Sequence, residues 1–276
     1  MKIGGGNEEA GPTSGIHWHM NIKNKITYYA LDKERQIIPY IEVERLDGSK
    51  ATYKSTEIKF SKEDLQKAIS RRMDCIDCHN RPTHIYHPPA RSINHLISLG
   101  WINRKLPYIK SIAVQALEQD YTSKQIALYS INQIIDEFYS MNYPEIYKTM
   151  KSDIERAIQE VQKVYKRNYF PEMKTSRKNH FDNIGHMYYP GCFRCHDGKH
   201  IDENGKVLTK DCNNCHIILS QSFENEPVRL SLQGLEYKHP VDIGRDWMDV
   251  NCSECHGKGK DIYENRDHPE LILSKK

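Results

Sequence analysis

The 276-residue sequence has no unbroken apolar run of the roughly 18 residues that a membrane-spanning helix needs. Its opening, MKIGGGNEEAGPTSG, lacks the basic start and apolar stretch of a secretory signal. Apolar residues supply only 38% of the chain and mean hydropathy is -0.76, which is lean for packing such a length into one or two domains. Excess charge of one sign is also missing: the formal net charge is +3, which gives nucleic-acid binding no support. Nor is any cysteine left over.

What is present is cysteine in pairs. CIDCH holds Cys75 and Cys78, CFRCH Cys192 and Cys195, CNNCH Cys212 and Cys215, and CSECH Cys252 and Cys255. Each pair is followed at once by a histidine: His79, His196, His216 and His256. With 14 histidines in the chain, chance puts one at a given position with probability about 0.05, so four out of four is on the order of one in a hundred thousand. Two cysteines three apart can add their thiols across the vinyl groups of one porphyrin, and the adjoining histidine then reaches the iron. Cys192, Cys195, Cys212 and Cys215 also fall within zinc-ribbon spacing, but zinc leaves the four histidines and the two outer pairs unexplained. A disulfide framework needs no histidine at the next position, and a thioredoxin-like thiol motif does not come in fours. The expectation is four covalently attached haems c.

Four apolar macrocycles relieve the shortage of hydrophobic side chains, and their propionates, about eight negative charges, turn the holoprotein mildly acidic. Covalent attachment takes place outside the cytoplasmic membrane. A periplasmic or extracellular location is therefore expected, with the export element on an N-terminal part missing from this sequence or on a separate polypeptide.

Fold expectations follow the composition along the chain. Residues 1–60 read as a polar leader and a small β-hairpin turning near Asp47-Gly48. Residues 61–90 carry the first motif behind a helix over EDLQKAISRRM, capped by Ser61 and Asp64. In 91–178, apolar residues recur at helical spacing, predicting a helical hairpin or three-helix unit with Tyr129, Phe138, Tyr139 and Tyr147 as core or haem-edge packers. Residues 179–276 turn short, His-rich and Gly-rich, with three motifs and a charged tail after Gly257. The class predicted is a mainly α multihaem cytochrome c with little regular structure around the haems.

Ten histidines lie outside the motifs, more than the four distal ligands that four irons require. His200 follows His196 closely, His186 precedes a motif, and His84 follows one between prolines. His239 precedes the last motif, and His17 and His19 flank Trp18. These six are the candidate distal ligands. His95, His180 and His268 are weaker candidates, as are Met20, Met73 and Met187 where histidine is so abundant.

The stretches CIDCHNRPTH, NIGHMYYPGCFRCHDGKH and DCNNCH, joined by the helical insert, resemble the C-terminal periplasmic part of NapC/NirT-type multihaem cytochromes c over roughly residues 15–220. The resemblance implies a protein passing electrons from the membrane quinol pool to periplasmic or outer-surface acceptors. Family members carry an N-terminal membrane helix and further haems ahead of this region, which this sequence does not show. His17, His19, His84, His186, His200 and His239 match histidines within the family's motifs. The expected function is electron transfer by a tetrahaem relay with bis-histidine irons and redox-protein partners, among them a membrane-anchored cytochrome or quinol-oxidising subunit. The alternatives are an oxidoreductase with one open haem, acting on nitrogen compounds, and a subunit of a cytochrome filament or larger respiratory complex.

Overall fold

The computed structural model describes residues 1–4, 15–20, 24–45, 47–79, 84–223 and 226–257. His268, most of the leader and the tail after Gly257 lie outside them. The chain divides into two compact units, one built from 1–80, 183–185 and 190–251, the other from 81–182, 186–189 and 252–276. Three motifs fall in the first unit and CSECH in the second.

The first unit is organised by an antiparallel sheet. Its strands β1 (Lys25–Ala30), β2 (Tyr40–Glu44) and β3 (Lys50–Ser55) form a meander, and β4 (Ile69–Arg72) pairs with the free edge of β1. The strand His200–Asp202 closes the other edge on β3. Period-two alternation decides which face is buried: Ile26, Tyr28 and Ala30 of β1, Ile41 and Val43 of β2, and Ala51 and Tyr53 of β3 point inward with Ile38. Trp18, Met73 and Leu208 pack against them, while Tyr29, Tyr40 and Phe60 stack on the opposite face. The β2–β3 turn sits at Asp47-Gly48, where Gly48 adopts a left-handed φ of 78° and Asp47 accepts from the Ser49 amide at 2.8 Å.

The helix expected over EDLQKAISRRM is shorter than its pattern. Its capping box is present, Ser61 accepting from the Asp64 amide and Asp64 from the Ser61 amide, but the helix ends at Lys67. Residues 69–72 become a strand because the exposed edge of β1 offers them a hydrogen-bonding ladder, overriding a modest helix propensity.

The second unit is helical: Pro89–Ser98, Ile109–Glu118, Lys124–Asn142, Pro144–Thr149 and Lys151–Asn168, more helices than the pattern alone predicts. Ala127, Ile131, Ile135 and Tyr139 recur every four residues and are fully buried against Ile154, Ala157 and Val161. Tyr139 donates to the Pro107 carbonyl at 2.7 Å. Phe138 and Tyr147 pack at the margin of this core, but Tyr129 is 68% exposed. Two residues beyond Ala127, it points about 200° round the helix from the buried stripe.

Candidate functional site

Each motif folds as one tight helical turn. The turns span Cys75–Cys78, Gly191–Arg194, Cys212–Cys215 and Cys252–His256. In the first three, the amide of the motif histidine donates to the carbonyl of the first cysteine, at 2.8, 3.0 and 3.2 Å. Asp74 and Asp211 cap the first and third turns through the amides of Ile76 and Asn213. Such a turn sets two sulfurs three residues apart on one side of the backbone with the imidazole just beyond. None of the eight cysteines is in a disulfide, and among the described residues no group of three or more His, Cys, Asp or Glu is gathered for a metal ion.

Three turns lie close together in the first unit. The charge of Cys192 bears on Cys78, Cys195 and Cys215. Burial pushes the Cys78 thiol up to about 11 and Cys195 to about 12, and raises Cys215, so these groups sit as neutral thiols.

The first and second turns are locked by a buried network that spacing alone does not disclose. Asp77, inside CIDCH, is wholly buried at its side chain and takes Tyr28 Oη at 2.5 Å, Arg35 Nη1 at 3.0 Å, Arg71 Nε at 2.9 Å and its own cap amide, Asp74, at 2.8 Å. Burial raises the Tyr28 hydroxyl, and Asp77 raises it further, keeping it a donor. Arg194, inside CFRCH, donates Nη2 to the Asp77 carbonyl at 3.0 Å, Nη1 to the Arg35 carbonyl at 2.8 Å and Nε to Gly191 at 2.9 Å. Asn183 adds its amide to the Cys78 carbonyl and its Nδ2 to Asp77. The only signal in the sequence was a charged residue inside each motif, Asp77 and Arg194.

The candidate distal histidines separate by their ring contacts. His19 Nδ1 donates to the Ile16 carbonyl at 2.7 Å, and its ring lies 5.8 Å from that of His196, centroid to centroid. His17 Nδ1 donates to Gly4 at 3.2 Å. His239 Nδ1 lies 2.8 Å from the Val241 carbonyl, the shorter of its two contacts there. An Nδ1–H held by a backbone carbonyl leaves Nε2 as the lone-pair nitrogen, the arrangement found in metal-ligating histidines. Two imidazoles sharing one iron sit about 6 Å apart, near the His19–His196 separation. Burial is the main cause holding His196 below the ordinary imidazole range, and the nearby His19 ring acts in the same direction.

His200 is placed differently from the expectation that it ligates. It is fully buried, with Nδ1 2.9 Å from the Asp197 carboxylate and Nε2 2.8 Å from the Ile38 carbonyl. Both ring nitrogens are engaged with acceptors, so in this arrangement neither offers a lone pair to iron. In the second unit, with the fourth motif, are His84, which meets Tyr86 edge-on at 4.8 Å, and His186. His180 stacks on Tyr86 at 5.4 Å, while His95 is an exposed helix residue. Met73 packs on the sheet core, and Met187 is exposed.

No family model matches the chain, and no solved structure matches it. It is 47% identical over 256 residues to cytochrome c-type protein ImcH of Geobacter sulfurreducens, an alignment that takes in 93% of this chain. The chain spans about half, 50%, of that relative's length. The similarity, carried across nearly all of the chain, supports a c-type cytochrome.

Proposed function

We propose that the chain is a tetrahaem electron-transfer module whose haems are held by Cys75 and Cys78, Cys192 and Cys195, Cys212 and Cys215, and Cys252 and Cys255. Haem c supplies one-electron chemistry at iron, cycling between ferric and ferrous states. The chain's own part is geometric. The observation that carries the reading is the Arg194 to Asp77 bond, which ties the attachment turns of the first two motifs together through buried groups. Short iron-to-iron spacing is what a relay needs, and no substrate pocket is required for it.

The ligand set proposed is bis-histidine. His79, His196, His216 and His256 serve as proximal ligands. The first unit has three motifs and three candidate histidines besides His200: His17 and His19, with Nδ1 held by a carbonyl, and His239, whose Nδ1 lies against both the carbonyl and the amide of Val241. Their contact distances support His19 for the iron of His196. In the second unit His84 and His186 are the candidates for the iron of His256. The rival, an enzyme with one open haem, requires an iron that no distal histidine reaches. Setting His200 aside still leaves five candidates for four irons.

By likeness to a c-type cytochrome the module works on the outer side of the cytoplasmic membrane, between a quinol-linked donor, such as a membrane-anchored cytochrome, and a periplasmic or extracellular acceptor. Among the described residues no helix is long and apolar enough to cross a membrane.

Two measurements test this. The pyridine haemochrome assay is expected to give four haems c per chain, and electron paramagnetic resonance of the oxidised protein only low-spin signals. A stoichiometric high-spin component would mean an open iron and would favour the enzyme. The His19→Ala variant is expected to convert one iron of the four to high spin with its haem still attached. An unchanged spectrum would remove His19 from the ligand set.

A further inference from the structure

The segment after the third motif carries aliphatic side chains that nothing among the described residues covers. Strands Ser220–Gln221 and Arg229–Leu230 pair antiparallel, with Ser220 opposite Leu230 and Gln221 opposite Arg229. The Ser231 amide donates to the Leu219 carbonyl at 3.1 Å, extending the ladder. Along the second strand, Val228, Leu230 and Leu232 alternate with Arg229, Ser231 and Gln233, the pattern of a strand with one buried face. Yet these three are 60%, 75% and 82% exposed. Alternation and exposure conflict unless something flat and apolar lies on that face.

The ladder is fastened to the third motif. Asn213, the second residue of the Cys212–Cys215 turn, uses both ends of its amide: Nδ2 donates to the Leu235 carbonyl at 3.0 Å, and Oδ1 accepts from the Ile218 amide at 3.3 Å. The Leu235 amide donates to Ile218 at 2.9 Å, and Gln221 Nε2 to the Glu236 carbonyl at 2.7 Å. Gly234 lies so close to Asn213 that a Cβ there would meet Oδ1 at 2.3 Å, so the glycine admits the clamp.

Resting on the reading that Cys212 and Cys215 hold a haem, we infer that the face of Val228, Leu230 and Leu232 is the cover of that third haem, set against the macrocycle by the Asn213 clamp. A haem attached at this turn is the apolar surface tethered nearest to the ladder, and the clamp fixes the ladder to the turn without passing through any other part of the fold. The two short strands, too small to stand alone, would then take their order from the cofactor.

Methyl NMR of the fully reduced, low-spin protein tests this directly, with Leu and Val methyls labelled and resonances assigned by Leu230→Ile and Leu232→Ile. The porphyrin ring current is expected to displace the methyls of Val228, Leu230 and Leu232 well outside the range of exposed methyls, with cross-relaxation to protons of one haem. Ordinary exposed-methyl positions would overturn the inference, and line widths that grow with concentration would point to a second copy of the chain as the occupant. In the Cys212→Ala/Cys215→Ala variant the haem count should fall by one and the displacement vanish. A displacement that persists there would assign the face to another haem and overturn the inference. An unchanged haem count would instead overturn the attachment reading on which it rests, and cross-relaxation in the unaltered protein decides the matter should that variant fail to fold.

Discussion

Replacing Asp77 with alanine is expected to cost about 3–5 kcal/mol of unfolding free energy. The Asp77 side chain is wholly buried, with Arg35 and Arg71 on one side and Tyr28 on the other, while its carbonyl receives Arg194 and Asn183. Alanine leaves the Arg35 guanidinium without its carboxylate and the Tyr28 phenol without its acceptor around a hole, while Arg71 keeps only Asp74. Asp77→Asn keeps the shape and some of the hydrogen bonds, and should lie between alanine and the parent. The denaturant midpoint measures both. A loss below about 1 kcal/mol for alanine would show that the arginines swing to solvent and that the network does not hold the two turns. The variant also carries a functional signature. On the proposed tetrahaem reading, a loosened first turn should slow electron exchange between the first two haems while the haem count is unchanged, since all the cysteines remain.

How much of this was legible in the sequence depends on whether the cause is local. The tight turns of the four cysteine motifs are local, because two cysteines and a histidine need only one helical turn to present their side chains. The Asp47-Gly48 turn and the Ser61–Asp64 capping box are local too, and both stand where the residues placed them. The sheet is not. Its edge strand His200–Asp202 reaches β3 from a remote part of the chain, and β4 exists only because β1 offers an edge. Residues 69–72 carry a helix-compatible pattern that this tertiary ladder overrules. Tyr129 lies outside the helical core for a simpler reason: an aromatic count does not say which side of a helix is inside, whereas the spacing of Ala127, Ile131, Ile135 and Tyr139 does. The Asp77 and Arg194 network was hidden because the motif is read by its fixed positions, and the variable ones hold the contacts between turns.

His200 is the sharpest instance, because proximity to a motif made it a candidate ligand while the fold gives both its nitrogens other work. The expected outcome separates it from His19. His200→Ala should leave all four irons low-spin and lower stability by about 2–4 kcal/mol, through a cavity in a fully buried site and the lost partners of Asp197 and Ile38. His19→Ala should do the reverse, changing spin state at one iron with little loss of stability. The pH dependence of the His200 variant adds a check. Burial alone would raise the Asp197 carboxyl, but the hydrogen bond and charge of His200 outweigh it, with help from the Lys199 amide, and hold the group below the usual carboxylate range. A depressed folded value stabilises the protein above the unfolded value, about 3.9, and that contribution is lost as the pH falls through the folded one. Removing His200 withdraws the bond that lowers Asp197, so the variant should unfold at a higher pH on acidification than the parent. One high-spin iron in His200→Ala would reverse the assignment. It would mean that the ring leaves Asp197 and Ile38 to bind iron in the haem-loaded protein, and the count of distal ligands in the first unit would have to include it.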